Sequence, residues 1–291
     1  VLKDLLGGDF WLDQERFNNE PDNNLLEPRH AAKEGETIGY NYSSTVAYGG
    51  LFAQAQRSIG KVDVFATGAF SYTTFYRNGK FLHQEFQSDD PAESSLGFSN
   101  VQNFQNYTVK GGANYKINGR HNVYFNAGRF TRAPFFRNSF VDNRVSNMYR
   151  DGVETSSEKF FSLESGYGYR SPKFAGHANL YRTKWDDRGY IVSLPSAAFD
   201  GNFVNFNMTN VDALHQGIEF DGAYQLNKDL KLTGMLSLGD WRYKGNAEAV
   251  VLQDPGLAIV DNPVSGKPSD VDPVTIYLDG LKVGGAAQTT A

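Results

Sequence analysis

The sequence predicts an all-β fold, specifically an antiparallel transmembrane β-barrel with long extracellular loops, and three observations predict it. The first is a period of two. Between Phe161 and Tyr169, the residues Phe161, Leu163, Tyr167 and Tyr169 alternate with Ser162, Glu164, Gly166 and Gly168, as side chains do along a strand. The second is the chemistry of the less apolar face, which carries Gly, Ser, Asn, His and Tyr rather than the abundant Lys and Glu of a solvated sheet. The third is a strict alternation of connections, roughly three to five residues against roughly twenty-five to forty. Compact soluble domains rarely tolerate several loops above about fifteen residues, whereas a barrel with short periplasmic turns and long outer loops requires them.

The elements follow in order. Residues 1 to about 43 read as a surface loop rich in Gly and Asn, with Leu2, Leu5, Leu6, Trp11 and Leu12 as a packed patch. Strands are expected near 45–58 and 62–75, joined at Gly60-Lys61, and near 104–117 and 122–131, joined at Asn118-Gly119, a strong hairpin signal. The hairpin at 159–170 and 174–185 turns at Ser171-Pro172, and the last, at 213–225 and 230–243, turns at Asn227-Lys228. Long connections are expected at about 76–103, 131–157, 186–212 and from 244 past 282. Because the face richer in Leu, Ile, Val and Phe must meet hydrocarbon, Arg129, Arg182 and Asp240 fall on the lipid side near the long-loop ends, where long basic side chains reach headgroups.

Composition narrows the function. The chain has 291 residues, 40% hydrophobic and 14% aromatic, with 30 Gly, 22 Phe and 16 Tyr. There is no run of about eighteen apolar residues, so no spanning helix is expected, and the mean hydropathy of -0.48 does not weigh against strands, whose membrane signal lies in alternation. With no cysteine, a disulfide scaffold and a thiolate metal site are excluded. A net charge of -5 gives no electrostatic footprint for nucleic acid. The start at Val1 carries no signal peptide, which in an outer-membrane protein implies a start removed or not included.

The stretch Ala127-Gly-Arg-Phe-Thr-Arg-Ala-Pro-Phe-Phe136 resembles the barrel signature of TonB-dependent outer-membrane receptors, with Gly128, Arg132, Ala133 and Pro134 as its motif residues. The segments Glu158 to Asp187 and Asn210 to Trp241 are similar to the strands that follow it, so the resemblance covers about Thr45 to Tyr243. The segment Ile276 to Gln288 looks most like receptors of the Bacteroidetes type. What the resemblance implies is a part of a barrel of about 22 strands, of which eight complete ones are read here without plug, TonB box or closing strand. It also implies the outer membrane of a Gram-negative bacterium, and as partners outer-membrane lipid, a plug domain, the TonB complex, and a ligand such as an iron chelate, cobalamin or an oligosaccharide. The chemistry would be binding and gating, with no catalysis, cofactor or resident metal.

Candidate ligand contacts lie in the connection after 186: Tyr190, Phe199, Asn202, Phe203, Asn205 and Phe206 supply rings and amides, and packing of the loops on one another is the competing role. The five histidines, His30, His83, His121, His177 and His215, show no metal-ligand spacing, and His177 and His215 belong to the lumen face. Asp89-Asp90 and Asp186-Asp187 read as solvated acids rather than glycosidase or calcium pairs. Gly166-Tyr-Gly-Tyr opens no helix and is not a nucleotide loop. A passive porin, a lipid-embedded enzyme and a soluble carbohydrate-binding or hydrolytic β-protein are the alternatives.

Overall fold

A computed structural model describes residues 24–27, 30, 35–37, 39–149, 156–195, 203–253, 259–285 and 287–290. The eight expected strands are all present: β1 (Tyr42–Ile59), β2 (Val62–Gly79), β4 (Gln102–Lys116), β5 (His121–Arg132), β6 (Glu158–Arg170), β7 (Phe174–Asp186), β10 (Ala213–Gln225) and β11 (Lys231–Tyr243). Each pairs antiparallel with its neighbour in sequence order, and β14 (Thr289–Thr290) adds to the edge of β11. A two-residue β3 (Gly97–Phe98) pairs with the end of β2 and completes a 10-stranded sheet that is not closed among the described residues. The patch expected around Leu2 to Leu12 lies outside the described residues.

The short turns are held by their own side chains. Asn118 Oδ1 accepts from the Arg120 and His121 amides at 2.9 and 3.1 Å, and Asn227 Oδ1 accepts from Asp229 and Leu230, both at 2.9 Å. Ser171 Oγ does the same for Phe174 at 3.0 Å, so Asn and Ser act here as local backbone mimics. At the first turn Gly60 has φ +60°, a left-handed conformation open to glycine without strain. Short loops pin the register, and the register fixes which face each residue occupies.

Two faces result. The outward rows across β5, β6, β7, β10 and β11 run Phe125, Ser165, Leu180, Ile218, Leu238 and then Val123, Tyr167, Ala178, Phe220, Leu236. Phe125, Leu180, Ile218, Phe220, Leu236 and Leu238 are exposed to the surroundings, as a lipid-facing band requires. The opposite rows carry Asn122, Gly168, His177, Asp221 and Asn126, Glu164, Tyr181, Gly217. No helix among the described residues is long and apolar enough to cross a membrane, a criterion that does not bear on strands. At 12 to 18 residues each long strand exceeds the roughly 9–11 needed to span a tilted crossing, so strand ends project beyond the hydrocarbon.

The long connections correct the expectation of plain loops. β8 (Tyr190–Pro195), β9 (Phe203–Thr209), β12 (Ala247–Gln253) and β13 (Val274–Ile276) form a separate 4-stranded sheet in the order β13-β12-β9-β8. Its strand β12 alternates little: Ala247, Ala249, Val250, Val251 and Leu252 are all buried, with Val141 and Met148 of the 133–157 connection packed on Val250 and Leu252. Burial on both sides erases the period of two, which is why sequence alternation does not reveal it. Every passage of the chain between barrel and upper sheet turns at a positive φ: Asp187 at 59°, Asn210 at 54°, Gly245 at 80°, and Gly280 and Gly285 on the return.

Candidate ligand vestibule

The inward face changes character along its length. Midway it is polar: the Tyr124 hydroxyl donates to Glu164 Oε1 at 2.8 Å and lies 2.6 Å from Asn179 Oδ1, and His177 Nδ1 is 3.1 Å from Asp221 Oδ1. Toward the long-loop end it turns aromatic, with five adjacent strands each supplying one ring. Phe130 stacks on Phe160 at 4.6 Å, Phe160 meets Trp185 edge-on at 5.3 Å, Trp185 lies 4.5 Å from His215, and His215 lies 5.3 Å from Trp241. Trp241 Nε1 donates to the Tyr181 hydroxyl at 2.9 Å, which satisfies its polar tip.

Two arginines sit on this belt. Arg188 places its Cζ 4.2 Å from the Trp185 ring centre and 4.7 Å from that of Tyr190, and its Nη2 donates to the Tyr190 hydroxyl. It is buried, its Nε has no hydrogen-bond partner among the described residues, and burial lowers its pKa from the ordinary arginine value, although such a group stays charged at neutral pH. Burial likewise raises the Tyr190 pKa, with the nearby Arg188 charge opposing. Arg132 lies over Phe160 at 5.3 Å and Phe135 at 4.8 Å, and its fork is ion-paired with Glu158, whose residue is 1% exposed. A cation on an aromatic face contributes about 0.5–2 kcal/mol, more when desolvated.

Of the motif residues, Arg132 therefore belongs to the belt. Ala133 and Pro134 begin the following connection and line a groove of about 440 Å³ with Phe75, Asn106, Phe135 and Phe136. Gly128 faces inward beside Lys110, where an added Cβ would come within 3.2 Å of the lysine Cβ. Of the candidate contacts, Tyr190 starts β8 and is half-buried against Arg188, whereas Phe203 is 49% exposed. Asn205 is buried, its Oδ1 accepting from Ser193 Oγ across the β8–β9 pair, and Phe206 is half-buried in the same sheet. Phe199 and Asn202 lie outside the described residues. Thus Tyr190 joins the belt, and Asn205 serves the upper sheet.

Sequence reading missed five participants. Trp185 and Trp241 stand at strand ends where an interfacial role explains them equally well, and Arg188 and His215 carry no motif. The other is Arg77, 1% exposed, which clamps two long connections: its Nε donates to Asn143 O at 2.8 Å, Nη2 to Arg144 O at 2.8 Å, and Nη1 to Ser95 O at 2.9 Å and Asn147 Oδ1 at 2.5 Å. The guanidinium also lies 5.0 Å from the Tyr42 ring centre. Among the described residues no group of three metal-binding side chains gathers. Asp90 turns back to its own loop, accepting from the Ala92 amide at 2.9 Å.

A wall of long antiparallel strands, apolar outside and polar inside, with structured connections gathered at one rim, defines an outer-membrane type of barrel. A family described as "TonB dependent receptor-like, beta-barrel" matches residues 3–279, and the chain belongs to that family, whose members are receptors and transporters rather than enzymes. Among solved structures it is similar to "Copper transporter OprC", at a TM-score of 0.52 and 14% identity, over 73% of this chain and 34% of that one. The likeness is one of fold, and the chain spans about a third of that transporter's length. No curated protein sequence matches.

Proposed function

We propose that this chain supplies barrel wall and outer vestibule to a receptor of the Gram-negative outer membrane that imports a scarce or large ligand with energy from TonB. The observation that carries the reading is the belt of Phe130, Phe160, Trp185, His215 and Trp241, topped by Arg132 and Arg188, with Tyr190 of the upper sheet against Arg188. Rings on the lumen side, below ordered loops, offer flat apolar surface and fixed cations to a ligand entering from outside. Such a surface suits an iron chelate, cobalamin or an oligosaccharide, each of which presents rings or a ring-like face. The protein supplies binding and release, with a plug domain and the TonB complex as partners. Tyr190, Phe203 and Phe206 are the ligand contacts of the upper sheet, with Phe199 and Asn202 on the connection between β8 and β9.

The test uses the intact protein in cells. Binding and uptake are measured for a panel of ferric chelates, cobalamin and oligosaccharides, in strains with and without TonB, for wild type and for Trp185→Ala and Arg188→Gln. One class of ligand should bind, its uptake should vanish without TonB, and each substitution should weaken binding about tenfold, as loss of a buried aromatic or arginine anchor does. Uptake that persists without TonB would assign a passive porin instead.

A further inference from the structure

The outward face carries a feature that transport does not use. Above its apolar band, three consecutive outward rows on β5, β6, β7, β10 and β11 gather five cations. One row reads Arg129, Phe161, Lys184, Leu214, Arg242; the row nearer the membrane centre reads Ala127, Leu163, Arg182, Gln216, Asp240; the row nearer the loops holds Thr131, Lys159 and Asp186. At the same end of β1, β2 and β4 the outward residues are Thr45, Ala47, Thr74, Tyr76, Gln105 and Tyr107, without a charge. The cationic patch is thus confined to one side of the wall.

Acids neutralise part of it. Lys184 pairs with Asp186 and Arg242 with Asp240, each at 2.8 Å, and Lys159 pairs with Asp187. Arg129 and Arg182 are both exposed and have no ion-pair partner among the described residues. Arg182 lies only one row above Leu180 and Ile218, at the upper border of the apolar band. A guanidinium there is costly unless it reaches an anion, because hydrocarbon offers neither water nor counter-ion. The two arginines are two strands and one row apart, about 12 Å between their backbones at about 4.8 Å per strand and about 3.4 Å per residue, a separation that two long side chains can bridge to a single headgroup.

We propose that this face binds the phosphate of an outer-leaflet glycolipid headgroup through Arg129 and Arg182, with the acyl chains lying along Leu180, Ile218 and Leu163. The occupant follows from charge complementarity and position: a phosphate at the hydrocarbon border on the long-loop side, where two fork-shaped donors supply paired hydrogen bonds. The paired Lys184 and Arg242 flank the site.

The experiment takes the intact protein in detergent and measures retention of lipid A by native mass spectrometry. Dephosphorylated lipid A, phosphatidylglycerol and inorganic phosphate are run beside it. Lipid A should be retained at least tenfold more strongly than the other three, and Arg129→Gln/Arg182→Gln should remove that preference while Arg57→Gln, on the outward face at the opposite end, leaves it intact. Equal retention of dephosphorylated lipid A, or of phosphatidylglycerol, overturns the assignment, as does competition by inorganic phosphate at equal concentration. If the double variant does not fold, arginine modification by phenylglyoxal decides on the wild type. Lipid A should then protect Arg129 and Arg182 but not Arg57, and unprotected arginines would refute the site.

Discussion

At the scale of single residues, the outer connections depend on a few polar anchors. Arg77 directs its donors at three backbone carbonyls and the Asn147 side chain, and Asn147 in turn donates to the carbonyls of Pro91 and Gly97 at 2.8 and 3.0 Å. Among the described residues no carboxylate neutralises this cation within hydrogen-bonding reach; carbonyl dipoles do so instead. Leaving several buried acceptors without donors costs about 1–3 kcal/mol each, so Arg77→Ala should lose about 3 kcal/mol or more and open the 80–101 and 133–157 connections to protease. Arg77→Lys should recover only part, since one ammonium cannot reach partners spread around a planar fork. Limited proteolysis of the intact protein reads both outcomes, and unchanged cleavage would contradict the clamp. A second residue gives a pH signature. Burial raises the Asp212 pKa above its ordinary 3.8, against the hydrogen bond from the Asp187 amide, while Asp186 and Asp187 push it up and Lys184 pulls it down. A raised carboxyl favours the folded state below 3.8 and loses that contribution as pH rises through its folded pKa. Asp212→Asn keeps an acceptor for Asp187 and carries no charge, so it should raise the thermal midpoint at pH 7 and have no effect below pH 3.8.

At the scale of elements, the barrel strands are legible in sequence because two constraints coincide there. Alternation marks the strand interior, and Asn118, Ser171 and Asn227 mark its end by bonding to the backbone two or three residues on. The largest boundary difference, Gly79 instead of residue 75 at the end of β2, has a physical cause. β2 extends to follow Arg77 into the outer connections, and a side chain at Gly79 would collide with the Ser95 carbonyl. The upper sheet is not legible for the opposite reason. Its strands are short, β12 pairs with β9 some forty residues earlier, and both sides of β12 are buried, so neither period nor adjacency announces it. Arg188 is invisible in the same way, since stacking on Trp185 depends on the corner at Asp187 rather than on any local pattern. That division predicts separable behaviour. Leu252→Asp places an unpaired charge among Val250 and Val141 and should disorder the upper sheet, abolishing ligand binding, while heat-modifiable migration of the barrel is retained. Loss of the folded barrel band would show that the two sheets fold as one unit.

For the molecule as a whole, sidedness and closure are the remaining issues, and both follow from the sheet order. Because each long strand crosses once and neighbours are antiparallel, the four short turns share one rim and the upper sheet the other. Cysteines placed at Asn118 and at Phe203 in the intact receptor should therefore react differently with an impermeant reagent on whole cells, and equal reaction would refute the orientation. Closure is the sharper test. Among the described residues the outer edge of β1 has no strand partner, and the far edge of β11 is met only at its loop end, by Thr289 and Thr290, the Arg242–Lys282 bridge and backbone bonds to Leu281, Val283 and Gln288. In an 18-residue strand, alternate residues direct both backbone groups outward, and those within hydrocarbon cost several kcal/mol each when unpaired. About five such groups on one edge would outweigh the roughly 5–15 kcal/mol that holds a typical domain. Residues 1–291 expressed alone should consequently neither insert as a stable monomer nor bind ligand with the affinity of the intact receptor. Refolding into detergent followed by unheated gel electrophoresis makes the comparison: the expected result is a diffuse, protease-sensitive species. A discrete folded band that resists protease and binds a ferric chelate, cobalamin or a sugar would mean that these strands close on themselves, and that the wall needs no further strands to seal its edges.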